Sequence, residues 1–508
     1  MNACRYHAVP CVHGSVGVGN FPLDLLNASC KVLDCVLTTL HCMNEGGLKP
    51  TYRASLKLGD GDKLLYRPGD SIAVYAHNDE VDVSWLLQRM GGDLSPDQLI
   101  VLKQDSISRK SIFRGPPVDV PITPRLVIRH HLELHSLASR KTIRLLANCC
   151  SEKEEREILL KMGARDGMQL YDRLIKNASA TAMDLLATFG SCHPNLETLL
   201  EIFSPLAARP YSLIDECSEE SPQELSFAFT MIDFSKEPRN SDVTCDGVTL
   251  KRYNRQSGVA TGYIRRLWEE KIKNGASPHM RISLHPNLNN FFHPLDASDP
   301  LILICAGTGI APFINFLKYR RRLKLTQPSK IGDTWLIFGC RNPDSDLLFA
   351  EELASFLKDA ILTQLCLVFS RFSGSLPPHL HEVIRSKALV LPGCRYVQDC
   401  ISFPLAASAS GDASVAELPG LLDNFHISSS SDVAVSLKLT QLVCEQGGHI
   451  RVCGDAKGMA PAVASAWTTL FAAWKQPSKD VNSVDLKAGA EFLAQLREEK
   501  RYIEDVWC

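Results

Sequence analysis

Three short segments of this 508-residue chain, far apart in sequence, carry residue types suited to chemistry between two flat rings. Arg209-Pro210-Tyr211-Ser212 offers a guanidinium for a phosphate, a phenol for stacking and a hydroxyl for a reactive edge. Val452-Cys453-Gly454-Asp455 adds a thiol and a carboxylate. Asp505-Val506-Trp507-Cys508 adds a second carboxylate and an aromatic plate. Ser212, Cys453, Asp505 and Trp507 together suit hydride transfer, which depends on holding two rings close and aligned. Taken singly, Cys453 reads as a buried strand-end thiol and Trp507 as a core anchor.

Phosphate-binding candidates accompany them. Cys305-Ala306-Gly307-Thr308-Gly309-Ile310-Ala311-Pro312 follows an apolar run and precedes a helical run, Phe313 to Leu325. Glycines there let the backbone approach a pyrophosphate at a helix N-terminus, and Pro312 fits the first turn. The loop is neither GxGxxG nor a Walker loop, and a tight strand–helix turn without ligand would read the same way. Gly258-Val259-Ala260-Thr261, before a helical stretch from Gly262 to Lys271, reads as a second cradle or as an ordinary cap with Thr261 at the N-cap. Ser370, Arg371, Arg395 and Tyr396 offer a hydroxyl, two guanidinium groups and a phenol that could clasp a 2′-phosphate, favouring NADPH over NADH.

Distinct element types must position these groups. Tyr52 to Leu58 alternates like a strand, Gly59-Asp60-Gly61-Asp62 and Arg67-Pro68-Gly69-Asp70 are turns, and Ser71 to Tyr75 is apolar. Segments 46–85 and 206–295 are therefore expected to form a discontinuous antiparallel β barrel, interrupted by a helical domain over 86–205. After Pro300, continuous apolar strands at Leu301 to Cys305, Thr334 to Phe338, Leu365 to Phe369 and Ile450 to Cys453 alternate with helical stretches. That pattern predicts a doubly wound parallel α/β domain over 296–508. Residues 1–45 show no sustained periodicity and are expected to be irregular, and the Ala- and Ser-rich 402–432 reads as a flexible insertion.

Bulk properties exclude several classes. Lys plus Arg (55) nearly balances Asp plus Glu (57), against a nucleic-acid footprint. The Arg320-Arg321-Arg322 run reads as a solvated helix face. No apolar run suits a bilayer span, and no secretory signal pattern opens the chain. The 18 cysteines show no zinc spacing, so reduced thiols in a cytoplasmic protein are expected.

The order of these motifs resembles the reductase half of the diflavin reductases. It is carried by Arg209 to Ser212, Gly258 to Thr261, Gly307 to Phe313, Phe338-Gly339-Cys340-Arg341, Ser370-Arg371, Tyr396-Val397-Gln398-Asp399, Cys453 to Ala460 and Arg501 to Trp507. The resemblance runs from about residue 50 to the C-terminus. Gly332 to Leu353, Ile361 through Arg371 and Glu498 to Tyr502 narrow it to the branch that serves a cobalamin enzyme.

The resemblance implies FAD held by Arg209, Tyr211 and Ser212, lined by Ala228, Phe229 and Thr230. Its pyrophosphate would rest on Gly258, Val259, Ala260 and Thr261. NADPH would meet Thr308, Ser370, Arg371, Arg395, Tyr396, Gln398 and Asp455. Trp507 would cover the flavin ring, while Ser212, Cys453 and Asp505 would position the nicotinamide. Cys305-Ala306 departs from the Gly-Pro common in this family, and Arg395 stands in for a lysine two residues before Tyr396. Too few residues precede Tyr52 for a flavodoxin-like FMN domain, so FMN is expected on a separate domain, in trans or on a longer chain. Two other readings stay open: a diflavin-type reductase serving a haem or iron–sulfur acceptor, and a partner-binding module that does not oxidise NADPH.

Overall fold

The computed structural model describes residues 6–10, 31–104, 116–217, 223–235, 241–286, 291, 297–326, 331–391, 393–402, 434–476 and 485–507. The expected insertion at 402–432 lies outside them except for Ser402, as does Cys508.

Six antiparallel strands form the barrel. Arg209–Ser212 pairs with Ser71–Val74, followed in order by His279–His285, Val32–Cys42, Thr51–Leu58 and Glu224–Thr230. A bridge between Leu213 and Phe227, with the Ile214 amide donating to the Ser226 carbonyl, closes the first strand onto the last. Alternation sorts the side chains: Ala54, Leu56, Leu58, Leu213, Phe227 and Phe229 fill the interior. Ile214 and Ala228, on the opposite parity, instead join the core beneath the parallel sheet.

Of residues 1–45, expected to be irregular, 6–10 and 31–45 are described and both hold strands, while the rest lie outside the described residues. Val32–Cys42 is a central barrel strand, with Leu33, Cys35 and Leu37 facing inward. A cysteine stands in for one apolar position, and a bulge between Leu37 and Thr39 breaks the period of two. Tyr6–Pro10 is also a strand, antiparallel to Ile100–Gln104, which pairs in turn with Pro121–Ile122.

The helical domain contains Glu80–Arg89, Pro124–His131, Arg140–Ala147, Lys153–Gly163, Ala182–Thr188 and Leu196–Ile202 around its own core. Most starts carry the cap their sequence specifies; Thr181 and Asp184 form a reciprocal capping box. Two departures matter. The domain includes the small sheet just described, and the hairpin Val243–Cys245/Val248–Leu250, expected in the barrel, packs Cys245 and Leu250 into the helical core. Asp246 and Gly247, both at positive φ, make that hairpin's two-residue turn.

The last domain is a six-stranded parallel sheet. Its order is Ala388–Leu389, Gln364–Phe369, Thr334–Cys340, Leu301–Ala306, His449–Asp455, Tyr502–Trp507. The strands are buried on both faces between two apolar clusters. Strand order reverses between Leu301–Ala306 and His449–Asp455, and the crevice at such a switch point is where open parallel sheets bind ligands. The arginine run is not a solvated face: Arg320 is buried, donating to the Ala297 and Gly332 carbonyls. Arg321 pairs with Asp359, and Arg322 with Glu216.

Candidate active site

At the switch point Gly307–Ile310 makes one 3-10 turn before the helix Ala311–Thr326. Gly307 sits at φ +55° facing open space. A β-carbon on Gly309 would come within 2.3 Å of the Cys453 carbonyl oxygen, so only glycine lets this turn lie against the neighbouring strand end. The tight seat of this turn against the strand end is thus set by backbone packing.

A cavity of about 600 Å³ opens beside this turn, a size suited to a nucleotide. Thr308, Ser370, Arg395, Tyr396, Gln398 and Asp455 line it, brought together from the ends of separate strands. Asp399 shapes its outer wall: its carboxylate accepts from the amides of Arg395 (2.9 Å) and Tyr396 (2.8 Å). Arg371 is absent from the lining; it is exposed, with its amide bonded to the Arg341 carbonyl. Arg341 and Lys49 supply the further cations of the wall. Arg341 lies on the same edge one strand over, within Phe338-Gly339-Cys340-Arg341, and was therefore findable from sequence. Lys49, on a barrel loop, gave no such signal. Asp455 spends its charge on the amides of Gly458 and Met459 at the next helix start, which holds its carboxyl below the usual range.

Cys305, Cys453 and Asp505 are neighbours on one rung of three adjacent parallel strands. Cys305 and Cys453 belong to the same core as Ile214 and Ala228, so this face looks toward the barrel. Ser212 shares the parity of Ile214 and so points to that face. Its own rung runs Ser212, Ser71, His285 across three barrel strands. Burial raises the Asp505 carboxyl, and the charge of His285 partly offsets that. Burial, with Asp505 and Cys305 adding to it, pushes the Cys453 thiol far up, so it stays a neutral thiol. Trp507, paired with Asp455, is 45% exposed at the end of its strand.

The flavin-side candidates are divided. Tyr211 packs its ring against Phe227 (4.9 Å) and Phe229 (6.0 Å) on the barrel side of its strand. Ala228 and Phe229 point to opposite faces, and Thr230 lines the nucleotide cavity. Arg209 is paired with Glu133 of the helical domain. Gly258, not Thr261, is the N-cap of the helix Val259–Asn274, and its amide donates to Ile232. Val259, Ala260 and Thr261 form the first turn, where the buried Thr261 hydroxyl has no partner. An orphaned hydroxyl beside free helix N–H groups fits a phosphate oxygen. A β-carbon on Gly258 would crowd that hydroxyl at 2.8 Å.

The FAD binding domain family matches residues 49–250, and the oxidoreductase NAD-binding domain family matches residues 303–369. The chain thus carries an FAD-binding domain followed by an oxidoreductase NAD-binding domain. Its sequence is similar to methionine synthase reductase of Homo sapiens, 31% identical over 475 residues covering 91% of this chain and 58% of that protein. The Mus musculus methionine synthase reductase is 30% identical, over 88% of this chain and 57% of its own length. NADPH–cytochrome P450 reductase of Bos taurus is 27% identical, over 93% and 58%. The chain thus spans less than two thirds of these relatives. Among the described residues no helix is long and apolar enough to cross a membrane.

Proposed function

We propose that this chain is the FAD- and NADPH-binding module of a methionine synthase reductase-like enzyme. The observation that carries the reading is the Cys305–Cys453–Asp505 rung facing the Ser212 strand, with the nucleotide cavity opening beside it. When bound, NADPH supplies a hydride and FAD accepts it and releases electrons singly.

The chain's residues perform the rest. Thr308 and the Gly307–Ile310 turn hold the pyrophosphate, while Ser370, Arg341 and Arg395 hold the 2′-phosphate through charge-assisted hydrogen bonds. Tyr396 and Gln398 frame the adenine-side ribose. On the flavin side, Gly258 to Thr261 and Arg209 would hold the phosphates, and Tyr211 would support the ring from the barrel. Ser212 orients the reactive edge. The neutral Cys453 thiol would give a bound nicotinamide a polarisable wall, and the Asp505 carboxylate would stabilise positive charge on it. Trp507, exposed at the end of its strand, would cover the flavin ring.

Electrons would then leave through an FMN domain, in cis on a longer chain or in trans, to the cob(II)alamin of methionine synthase, in a cytoplasmic role in methionine and homocysteine metabolism. The similarity to cytochrome P450 reductase supports a haem acceptor as the second reading. The test supplies a flavodoxin-like FMN domain in trans and compares NADPH consumption with inactive cob(II)alamin methionine synthase plus S-adenosylmethionine as methyl donor, or with a haem protein. Restored methionine synthesis supports the first reading. Turnover with haem alone overturns it.

A further inference from the structure

One helix touches both halves of the proposed hydride site. The helix Ala311–Thr326 begins at the pyrophosphate turn. Asn315, Lys318 and Arg322 recur on it at i, i+3 and i+7, which places them in one stripe. Their partners follow in step along the chain just past Ser212. Asn315 donates to the Leu213 carbonyl at 3.2 Å, Lys318 to the Asp215 carboxylate at 2.6 Å, and Arg322 to Glu216.

Asp215 also accepts from Arg53 at 2.9 Å and from the Ser226 hydroxyl, and Arg53 reaches Glu352 in the helix Ala350–Lys358. The bond set therefore spans two barrel strands, the linker after Ser212 and two helices of the nucleotide domain. Burial pushes the Asp215 carboxyl up, but Lys318, Ser226 and Arg53 outweigh it and keep it ionised.

We infer that Asn315, Lys318 and Arg322 are positioning residues that lock the segment carrying Tyr211 and Ser212 onto the helix that follows the nucleotide turn. They set the distance between the two rings. The inference rests on the proposed function, and its logic is geometric. The stripe touches neither cofactor site, but it ties the strand that presents one ring to the helix that begins at the other. Hydride transfer falls steeply when reacting atoms move by about 1 Å. A helix already bonded at three successive steps leaves little freedom for that movement.

The test uses Lys318→Met, Arg322→Glu, Glu216→Arg and the swap Glu216→Arg/Arg322→Glu in the full chain with FAD. Three readouts are taken: 2′,5′-ADP affinity by calorimetry, amide exchange over 209–216, and the rate of flavin bleaching by NADPH. Each single substitution is expected to leave FAD content and 2′,5′-ADP affinity within about twofold while slowing bleaching about tenfold. Exchange over 209–216 should speed up in the same variants, and the swap should recover both. Unchanged bleaching and exchange in the singles would overturn the inference, as would slowing that merely tracks lost FAD or lost ADP binding. If Lys318→Met fails to fold, the partly exposed Glu216/Arg322 pair still decides. A wild-type protein that binds both ligands but is not bleached would instead count against the proposed function, while the exchange data still judge the lock.

Discussion

At the scale of single residues, charge and burial make separable predictions. Arg395→Ala should weaken 2′,5′-ADP by about tenfold to a hundredfold, the worth of one charge-assisted hydrogen bond, and should narrow the preference for NADPH over NADH. Calorimetry with 2′,5′-ADP and with 5′-ADP checks both. Asp505 has its carboxyl raised in the folded protein, so its share of stability is full at low pH and is lost as pH rises through the folded value. Asp505→Asn should therefore melt higher than the parent at pH 7 and match it near pH 4, while bleaching by NADPH slows. Thiol reactivity should be selective too. Hydrogen bonding from Cys400 pulls Cys394 down, whereas burial pushes Cys305, Cys366 and Cys453 up. Brief iodoacetamide labelling should therefore mark Cys394 well before those three. The convergence of most nucleotide-side candidates on one cavity was legible because each ends a parallel strand or begins a helix. Arg371 sits one residue beyond Ser370, on the exposed side of the turn and outside the cavity lining. The opposite parities of Ala228 and Phe229 were readable in principle from strand alternation alone.

At the scale of elements, close backbone approach dominates. Gly309→Ala would drive a β-carbon against the Cys453 carbonyl, so the turn and the strand end must separate. Loss of 2′,5′-ADP binding by a factor of at least ten with FAD retained is the expected outcome, measured by calorimetry and the visible spectrum. The parallel sheet announced itself because both faces of its strands are apolar. The strand Val32–Cys42 did not, since its inward positions include a cysteine and its period breaks at a bulge. The hairpin at Val243–Leu250 was misassigned for another reason: local sequence specifies a turn between two short strands, but only tertiary packing decides which core receives Cys245 and Leu250. The lock along the Ala311–Thr326 helix was equally hidden. Its charged residues look like a solvent face until their partners arrive from residues 213–216.

At the scale of the whole molecule, the seam between barrel and helical domain is the acid-sensitive joint. His77 and His130 face each other with ring centroids 5.4 Å apart, and His77 lies 4.6 Å from Tyr263 on the proposed phosphate helix. Burial lowers His77 to about 4, His130 to about 3 and His131 to about 4. Arg129 depresses His77 and His130 further, Arg266 lowers His77 and Arg281 lowers His130, while Asp79 opposes this at His77. Folded values below the ordinary histidine value mean stability that is complete above about pH 6.5 and is lost as pH falls toward 4. The urea midpoint should decline over that interval with FAD released early, and His130→Gln should flatten the decline. The most direct measurement of the central claim is an anaerobic titration of the FAD-loaded protein with NADPH, followed through the visible flavin bands and repeated with NADH. Stoichiometric bleaching by NADPH, with NADH far less effective, is the predicted result. Bound flavin that stays oxidised under excess NADPH would contradict the hydride reading of the Ser212, Cys453 and Asp505 seam.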